Sequence, residues 1–262
     1  MIWGAIIGDI VGSIYEFNNI KTKDFPFFPM YGYITDDSCM TIAVANAITK
    51  WKHDGGDLQE ITIESMRQIG FKHPDMGYGG SFARWLFNKE NEPYNSWGNG
   101  AAMRISAAGW LGNSLNEVKY LSYMVTAVSH NHIEGIKGAE ATAVAIFLAR
   151  TGKTKSEIAE YITQNYYKET ASVSELQKNY SWHSSCQGTV PQALQCFFES
   201  ESFEDAVRNA ISIGGDSDTL GTITGAVAEA YYGISDGMIQ TARKYVPDDL
   251  LAIVDQFETA SC

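Results

Sequence analysis

The segment GAIIGDIVG, residues 4–12, carries a glycine at every fourth position. Residues four apart lie on the same face of an α-helix, so these glycines leave a smooth groove where another helix can approach closely. The segment GTITG, residues 221–225, has the same spacing. The pattern predicts two helices that each pack tightly against a neighbour. The first of them belongs to a buried N-terminal helix over residues 1–17.

Apolar residues recur at helical spacing through most of the remaining chain, whereas the alternating runs typical of β-strands are scarce. The segments with this periodicity are residues 40–51, 61–69, 101–111, 118–128, 138–150, 155–167, 190–198, 203–211 and 238–245. The chain has only 6 prolines, no low-complexity linker and no solenoid repeat. These features predict a single compact all-α domain of many helices over residues 1–262.

Composition limits the classes of function that the chain can have. Of its 262 residues, 45% are hydrophobic, which is enough for a substantial core. The 31 acidic and 19 basic residues give a formal charge of -12, which argues against a protein that mainly grips nucleic-acid phosphates or anionic membranes. The N-terminal run has no basic start and is interrupted by Asp9 and Glu16, so it predicts neither a leader nor a membrane segment.

The four cysteines are scattered and show neither a disulfide framework nor zinc-type spacing. They are Cys39, Cys186, Cys196 and Cys262. We therefore expect reduced thiols and a cytoplasmic protein, and we expect that protein to be a monomer.

Two acidic clusters stand where helices are predicted to begin. The first is TDDS, residues 35–38, and the second is GDSDT, residues 215–219. Thr, Asp and Ser are good helix N-caps, and acids suit the positive end of the helix dipole, so capping alone would explain either cluster. Four carboxylates brought together would repel one another unless cations neutralised them. Hard oxygen ligands of this kind suit Mg2+, Mn2+ or Ca2+.

The positions of individual acids add detail to this hypothesis. Asp216 and Asp218 are two residues apart, which puts them on one side of an extended segment but not of a helix. We therefore predict that both project to the same side before the next helix begins. Glu16 ends the glycine-rich segment and could lean into a cleft, although a solvated helix end would also explain it. Asp9 is predicted to be buried and hydrogen-bonded.

Two glycine-rich loops could approach a ligand through their backbone. The loop HPDMGYGGSFARW has three glycines around Tyr78 and a predicted helix start at Ser81, an arrangement that can aim N–H groups at phosphate. The segment NSWGNGAAMR places Trp97 and Asn99 among glycines before another helix. Each loop alone is more often a simple turn. Arg104, on the helix that follows, is predicted to be a structural ion-pair residue.

Taken in order, six segments make the chain resemble the ADP-ribosylglycohydrolase family, whose members include the dinitrogenase-reductase-activating glycohydrolase. These segments are GAIIGDIVGSIYE, TDDSCMTIAVANAI, GYGGSF, SWGNGAAMR, SHNHIEGIKGA and IGGDSDTLGTITGAVAEAYYG. The pairing of TDD with a distant GGDSDT is the most specific feature. The resemblance implies an all-α fold with two divalent metal ions, Mg2+ or Mn2+, between the acidic stretches. It also implies cleavage of the glycosidic bond that joins ADP-ribose to an acceptor.

The resemblance implies a role for each matched residue. The metal ligands would be Thr35, Asp36, Asp37, Asp216, Asp218 and Thr219. Glu16 would be a metal ligand or a base acting through water, and the candidates for the catalytic proton relay would be Glu16 and Asp75. The substrate would be bound by Gly77, Tyr78, Gly79, Gly80, Ser81, Ser96, Trp97, Asn99 and His130. Within that set the glycine loop and Ser81 would cradle the diphosphate, and His130 would lie near the distal ribose.

The partner implied by the resemblance is an ADP-ribosylated protein or a small-molecule ADP-ribose conjugate. Asp75 favours ADP-ribosyl-arginine, whereas the GYGG loop is more similar to that of serine-directed members. O-acetyl-ADP-ribose is a further alternative, and the negative charge argues against a nucleic-acid acceptor. Two other functions stay open: a protein that binds ADP-ribose without cleaving it, and a metal-dependent hydrolase that cleaves a nucleotide diphosphate.

Overall fold

The computed structural model describes residues 1–88 and 92–261, and its regular structure is helical. The helices are α1 (Trp3–Gly12), α2 (Asp36–Asp54), α3 (Leu58–Lys72), α4 (Gly80–Phe87), α5 (Gly100–Met103), α6 (Ser106–Leu111), α7 (Leu115–Ala127), α8 (Ile133–Arg150), α9 (Lys155–Asn165), α10 (Val173–Asn179), α11 (Cys186–Phe198), α12 (Phe203–Ser212), α13 (Ser217–Tyr232), α14 (Asp236–Ala242) and α15 (Asp248–Ser261). A short 3-10 helix, Arg243–Tyr245, follows α14. The described residues contain no β-strand, only an isolated bridge between Gly98 and Ser185. The predicted all-α fold is confirmed.

Helices α1 and α13 pack against each other through their glycines, in a contact that we call the glycine seam. A Cβ atom built on Gly4 would lie 2.2 Å from the carbonyl oxygen of Gly225. One built on Gly8 would lie 2.0 Å from the carbonyl oxygen of Gly221. Because the obstructing atoms belong to backbone, no side chain could move aside to admit even a methyl group. The two glycine segments, each predicted to pack tightly against a neighbour, are therefore neighbours of one another.

The seam is closed at one end by Glu229 of α13. This buried carboxylate accepts a hydrogen bond from the backbone N–H of Gly4 at 2.9 Å. Helix α1 has no side-chain cap of its own, so an acid from another helix satisfies one of its free N–H groups. At the opposite end, a Cβ atom on Gly12 would lie 2.5 Å from the Cα atom of Asp218. The seam therefore ends at the second acidic cluster.

The centre of the core is formed by α2, α8 and α13. Residues 37–48 of α2 and residues 217–229 of α13 are buried without interruption. Helix α13 contacts α1, α8, α11 and α12. The buried stretches of these helices carry mostly apolar or small residues, whereas outer helices such as α12 are amphipathic.

The structure differs from the sequence-based helices in a few places. The segment predicted as one helix over residues 101–111 forms two helices, α5 and α6, because the chain turns at Arg104 (φ -90°, ψ 2°). Helix α1 ends at Gly12, so Glu16 lies in the turn that follows rather than at a helix end. Helices α10 and α15 were not predicted. Helix α15 buries Leu250, Val254 and Phe257 at helical spacing, so the same periodicity would have found it.

Two further expectations concern cysteines and membranes. Cys39, Cys186 and Cys196 are buried free thiols, as predicted, and Cys262 lies outside the described residues. In the described part of the chain, no helix is both long and apolar enough to cross a membrane.

Candidate active site

The first acidic cluster forms the start of α2. Thr35 is the N-cap, and its Oγ1 accepts a hydrogen bond from the backbone N–H of Asp37 at 3.2 Å. Asp36 and Asp37 occupy the first turn, where the helix dipole favours negative charge. The backbone N–H of Asp36 is bound by the carbonyl oxygen of Met76 at 2.8 Å, which joins this helix start to the glycine-rich loop.

Asp9 of α1 holds the start of α2 in place through hydrogen bonds. Its carboxylate accepts hydrogen bonds from the backbone N–H and the hydroxyl of Thr35, both at 2.8 Å. It also accepts from the backbone N–H of Ser38 at 3.0 Å and from the Ser38 hydroxyl. Asp9 is fully buried, so its predicted hydrogen-bonding role is confirmed. Through Asp9, helix α1 fixes the position of the first acidic cluster.

The second acidic cluster forms the start of α13, after a turn that only glycine adopts easily. Gly214 and Gly215 have φ values of +68° and +85°, in the left-handed region. Asp216 is the N-cap residue, whereas Asp218 lies inside the first turn of the helix. The prediction that both acids precede the helix is therefore wrong for Asp218. A helix N-terminus tolerates an acid at this position because of its free N–H groups.

Asn19 holds the turn that carries Glu16 against this second helix start. Its Oδ1 accepts a hydrogen bond from the backbone N–H of Gly215 at 2.7 Å, and its Nδ2 donates to the carbonyl oxygen of the same residue at 2.9 Å. The same Nδ2 donates to the carbonyl oxygen of Glu16 at 2.9 Å. Sequence reasoning missed Asn19, because no local pattern shows that it reaches a residue nearly 200 positions away.

The two helix starts and Glu16 converge on one place, which we call the acidic cluster: Glu16, Asp36, Asp37, Asp216 and Asp218. Carboxylate oxygens of Glu16, Asp216 and Asp218 lie within 4.8 Å of one another. The hydroxyl of Thr219 donates to Asp37 Oδ2 at 3.3 Å and so links α13 to α2. The other oxygen, Asp37 Oδ1, is buried and has no hydrogen-bond partner among the described residues.

Burial raises the pKa of every carboxyl in the acidic cluster, and repulsion from neighbouring carboxylates adds to this for all of them except Asp216. Together these effects raise the pKa of Glu16 to about 7 and that of Asp36 to about 8. The pKa values of Asp37 and Asp218 lie well above the usual range, and burial also raises the pKa of Asp216. Without cations, the cluster therefore keeps protons near neutral pH, and a divalent cation would take their place.

A cavity of about 490 Å³ opens next to the acidic cluster. All but two of the predicted site residues line it: Glu16, Thr35, Asp36, Asp37, Asp75, Gly77, Gly79, Gly80, Ser81, Ser96, Asn99, His130, Asp216, Asp218 and Thr219. Tyr78 and Trp97 do not. The ring of Tyr78 packs against Phe82 and Phe87, and the half-exposed Trp97 packs against His132.

The glycine-rich loop leaves open space on its cavity side. A Cβ atom built on Gly79 or Gly80 would have no heavy atom within 4 Å. Gly77 has a φ of +91°, and a Cβ atom there would lie 3.6 Å from Asp36 Oδ1. Helix α4 begins at Gly80, so its first N–H groups lie at this loop. The loop can therefore bring backbone donors close to a ligand.

Asn99 contacts the acidic cluster directly. Its Nδ2 donates to Asp216 Oδ2 at 2.7 Å and to Thr189 Oγ1 at 3.2 Å, and its backbone N–H donates to the carbonyl oxygen of Ser184 at 2.8 Å. The sequence suggested an amide beside exposed backbone, but in the structure this amide orients one of the predicted metal ligands.

Arg104 also lines the cavity, and the prediction of an ion pair is wrong. Among the described residues, no carboxylate lies within salt-bridge distance of this buried guanidinium. Its Nη2 donates to Ser129 Oγ at 2.7 Å and to His130 Nδ1 at 3.3 Å, and its centre lies 5.4 Å from the ring of Phe82. Sequence spacing alone gives no sign of these partners.

Several lining residues were not predicted at all. Aromatic side chains from separate segments reach the cavity: Phe17, Tyr33, Phe82, Tyr94 and Trp182. Trp182 and Ser184 belong to a loop that hydrogen-bonds to the SWGNG segment, where the N–H of Cys186 donates to the carbonyl oxygen of Trp97 at 2.9 Å. Their location depends on this long-range pairing.

Fold and site together define a class of all-helical proteins in which two helix N-termini bring carboxylates to one deep cavity. The chain belongs to the ADP-ribosylglycohydrolase family, because the sequence model described as ADP-ribosylglycohydrolase matches residues 1–261.

Individual relatives are distant but cover most of the chain. The ADP-ribosylhydrolase ARH3 of Homo sapiens is 25% identical over 333 residues, an alignment that covers 95% of this chain and 90% of that protein. The ADP-ribosylarginine hydrolase Tri1 of Pseudomonas putida (strain GB-1) is 24% identical, with 88% of this chain and 69% of that protein covered. A solved chain of an ADP-ribosylglycohydrolase-related protein complex shares the fold, with a TM-score of 0.75 at 18% identity over 100% of this chain and 96% of that one.

Proposed function

We propose that this protein is a metal-dependent hydrolase that cleaves the glycosidic bond between ADP-ribose and an acceptor, and so reverses ADP-ribosylation. The observation that carries the proposal is one cavity of about 490 Å³ that joins the acidic cluster to two glycine-rich loops. This volume lies in the range of pockets that enclose small organic ligands. The names of the relatives, ADP-ribosylhydrolase and ADP-ribosylarginine hydrolase, support the same reaction.

The acidic cluster fits divalent cations. All its groups are oxygen donors, its carboxyls repel one another, and Asp37 Oδ1 is buried without a partner among the described residues. We propose two ions, Mg2+ or Mn2+. Their ligands would be Thr35, Asp36, Asp37, Asp216, Asp218 and Thr219. Bound ions of this kind stabilise negative charge on sugar oxygens and lower the pKa of water.

Glu16 is the candidate for proton transfer at this end of the cavity. It is half-buried, and burial, with repulsion from Asp216 and Asp9, raises its pKa to about 7. Bound cations would offset this repulsion and leave Glu16 ionised, which is the state that can accept a proton from an attacking water and return one to a leaving group. Asp75 lines the same cavity from an exposed position and is the alternative relay.

The glycine-rich loop would hold the diphosphate. Gly79 and Gly80 leave room for close approach, and the N-terminus of α4 supplies N–H donors and a favourable dipole. A separate cradle for phosphate leaves the acidic cluster free for the distal ribose. This arrangement supports glycosidic cleavage over cleavage of the diphosphate.

An arginine acceptor is supported by the rim of the cavity. Phe17, Tyr33 and Trp182 line it and are 80%, 52% and 50% exposed. Aromatic faces beside carboxylates attract a guanidinium through cation–π and charge interactions. A serine acceptor offers neither feature, so we propose ADP-ribosyl-arginine as the preferred substrate, with ADP-ribosyl-serine and O-acetyl-ADP-ribose as comparison substrates.

The decisive experiment uses a panel of these three conjugates and identifies the products by mass spectrometry. We expect release of intact ADP-ribose, its loss in excess chelator and its recovery on addition of Mg2+ or Mn2+. Formation of AMP would instead identify a diphosphate hydrolase. Tight calorimetric binding of ADP-ribose without turnover of any conjugate would identify a binding protein.

A further inference from the structure

The guanidinium of Arg104 is a buried charge that the proposed reaction does not use. Arg104 is 1% exposed, and no carboxylate pairs with it in the described part of the chain. Burying an unpaired charge is costly, so its position needs an explanation. The polar groups that it binds are Ser129 Oγ and His130 Nδ1, at 2.7 and 3.3 Å.

The chemistry of these groups determines the tautomer of His130. A guanidinium can only donate hydrogen bonds, so Nδ1 must accept the bond from Arg104. Ser129 Oγ lies 2.9 Å from the same Nδ1. Because Nδ1 accepts from Arg104 and therefore carries no proton, the Ser129 hydroxyl donates to Nδ1 while its oxygen accepts from Arg104. Both contacts therefore leave the ring proton on Nε2.

His130 is also kept neutral. Burial, and the charge of Arg104, hold the pKa of His130 well below its usual range. The other ionisable ring beside it is that of Tyr94, whose centroid lies 5.6 Å from the imidazole, and Phe82 packs on it at 6.2 Å. The imidazole is thus a neutral group with one N–H to offer.

Nε2 faces the SWGNG segment of the cavity wall. Cβ atoms built on Gly98 and Gly100 would lie 3.5 and 3.3 Å from it, and both glycines line the cavity together with His130. No group among the described residues hydrogen-bonds to Nε2. Because neither glycine has a side chain, the Nε2–H donor is accessible to a ligand in the cavity.

We propose that Arg104, together with Ser129, is a positioning residue that fixes His130 as an Nε2–H donor aimed at a substrate oxygen in the cavity. The tautomer follows from the hydrogen bonds alone, and the inference rests on the proposed function only in taking that oxygen from ADP-ribose. Arg104 acts through His130 and has no contact of its own with the reacting atoms in this proposal.

The test is long-range 1H–15N NMR of the histidine rings in the full chain, with the His130 signals assigned through His130→Gln. We expect an unprotonated Nδ1 and a protonated Nε2 that do not titrate between pH 6 and 8. Arg104→Met should let the ring titrate in that range and should populate the Nδ1–H tautomer. Arg104→Lys, which keeps a charged donor, should restore the native signals in part. A wild-type ring that titrates near pH 6.5, or that carries its proton on Nδ1, would overturn the proposal.

Two variants and one ligand complete the experiment. Ser129→Ala should keep the Nε2–H tautomer, because Arg104 still donates directly. Arg150→Met is the matched control, since this arginine donates to the carbonyl oxygen of Gly109 and should leave His130 unchanged. ADP-ribose should shift the Nε2 signal, and Arg104→Met should raise its Kd about 10-fold, as expected for the loss of one hydrogen bond.

The ADP-ribose measurement distinguishes a failure of the proposed function from a failure of the proposed role of His130. If ADP-ribose does not bind although the Nε2–H tautomer is present, the proposed function fails and the positioning role of Arg104 stands. If ADP-ribose binds and the Nε2 signal does not move, the donor role of His130 is wrong.

Discussion

The glycine seam and the acidic cluster share helix α13 but are stabilised in opposite ways. In the seam, backbones meet so closely that a Cβ atom on Gly8 would lie 2.0 Å from Gly221. In the cluster, carboxylates are brought within 4.8 Å of one another and their pKa values rise. The glycine seam stabilises the fold through close packing, whereas the acidic cluster destabilises it because its carboxyls are buried close together. Close packing in the glycine seam therefore offsets part of the free energy that the acidic cluster costs.

Disrupting the glycine seam should have the largest effect on stability. Gly8→Val should lower the free energy of unfolding by more than about 3 kcal/mol, because its side chain would meet backbone of α13 that cannot move aside. Chemical denaturation measures this change. Gly237→Ala is the control: a Cβ atom there meets nothing within 4 Å, so a gain of about 0.5–1 kcal/mol is expected. A stable Gly8→Val protein would show that the helices can separate.

Removing one charge from the cluster should have the opposite effect on stability. Asp218→Asn should raise the melting temperature of the metal-free protein near neutral pH. Burial, and repulsion from Asp37 and Asp216, raise the pKa of Asp218, and an uncharged amide removes the cost of that shift. At the same time it should weaken Mg2+ binding by at least about 100-fold, since it replaces a proposed ligand. Calorimetry and thermal melts measure both effects. Asp57→Asn, at the exposed N-cap of α3, should change neither. A lower melting temperature of metal-free Asp218→Asn would show instead that the Asp218 carboxylate stabilises the start of α13.

Substitution of Asn99 tests whether metal binding by the acidic cluster depends on an uncharged hydrogen-bond donor beside it. Asn99→Ala removes the donor at 2.7 Å from Asp216 and should weaken Mg2+ binding by about 10–100-fold. Asn46→Ala removes a comparably buried amide that donates to Ser65, far along α2, and should leave Mg2+ affinity unchanged. Equal Mg2+ affinities in the two variants would show that the orientation of Asp216 does not depend on Asn99.

The smallest expected effect is on the pH dependence of stability. Carboxyls whose pKa is raised on folding, such as Asp9 to about 6, Glu16 to about 7 and Asp36 to about 8, bind more protons in the folded than in the unfolded chain. Stability of the metal-free protein should therefore be highest near pH 5 and decrease as the pH rises through 6 to 8, with a fall in melting temperature of at least about 5 °C.

Mg2+ should cancel this decrease, because it stabilises the ionised carboxylates that high pH produces. Thermal melts in excess chelator and in Mg2+ at each pH measure the effect. The slope in chelator should be smaller in Asp218→Asn. A melting temperature that rises from pH 5 to 8 in chelator would contradict the raised pKa values.

Much of this molecule could be predicted from the chain, because the relevant signals are local. Helical periodicity identified most of the helices, and the glycine spacing identified the two that pack most closely. The acidic clusters stand at helix starts, as predicted, and most of the proposed site residues line one cavity. The rings of Tyr78 and Trp97 pack against other aromatic side chains and do not line that cavity, and no local signal specifies their direction.

Short segments of the chain specify the helices, their close-packing glycines and the acids at two helix starts, since periodicity, backbone freedom and capping are local properties. Long-range packing, by contrast, pairs α1 with α13, brings Asn19 to Gly215 and lets Asn99 orient Asp216. The same holds for Arg104, which looked like an ion-pair residue and instead binds Ser129 and His130. The hydrogen-bond partners of buried polar groups depend on which distant segments the packed core brings together, and no local sequence pattern specifies those partners.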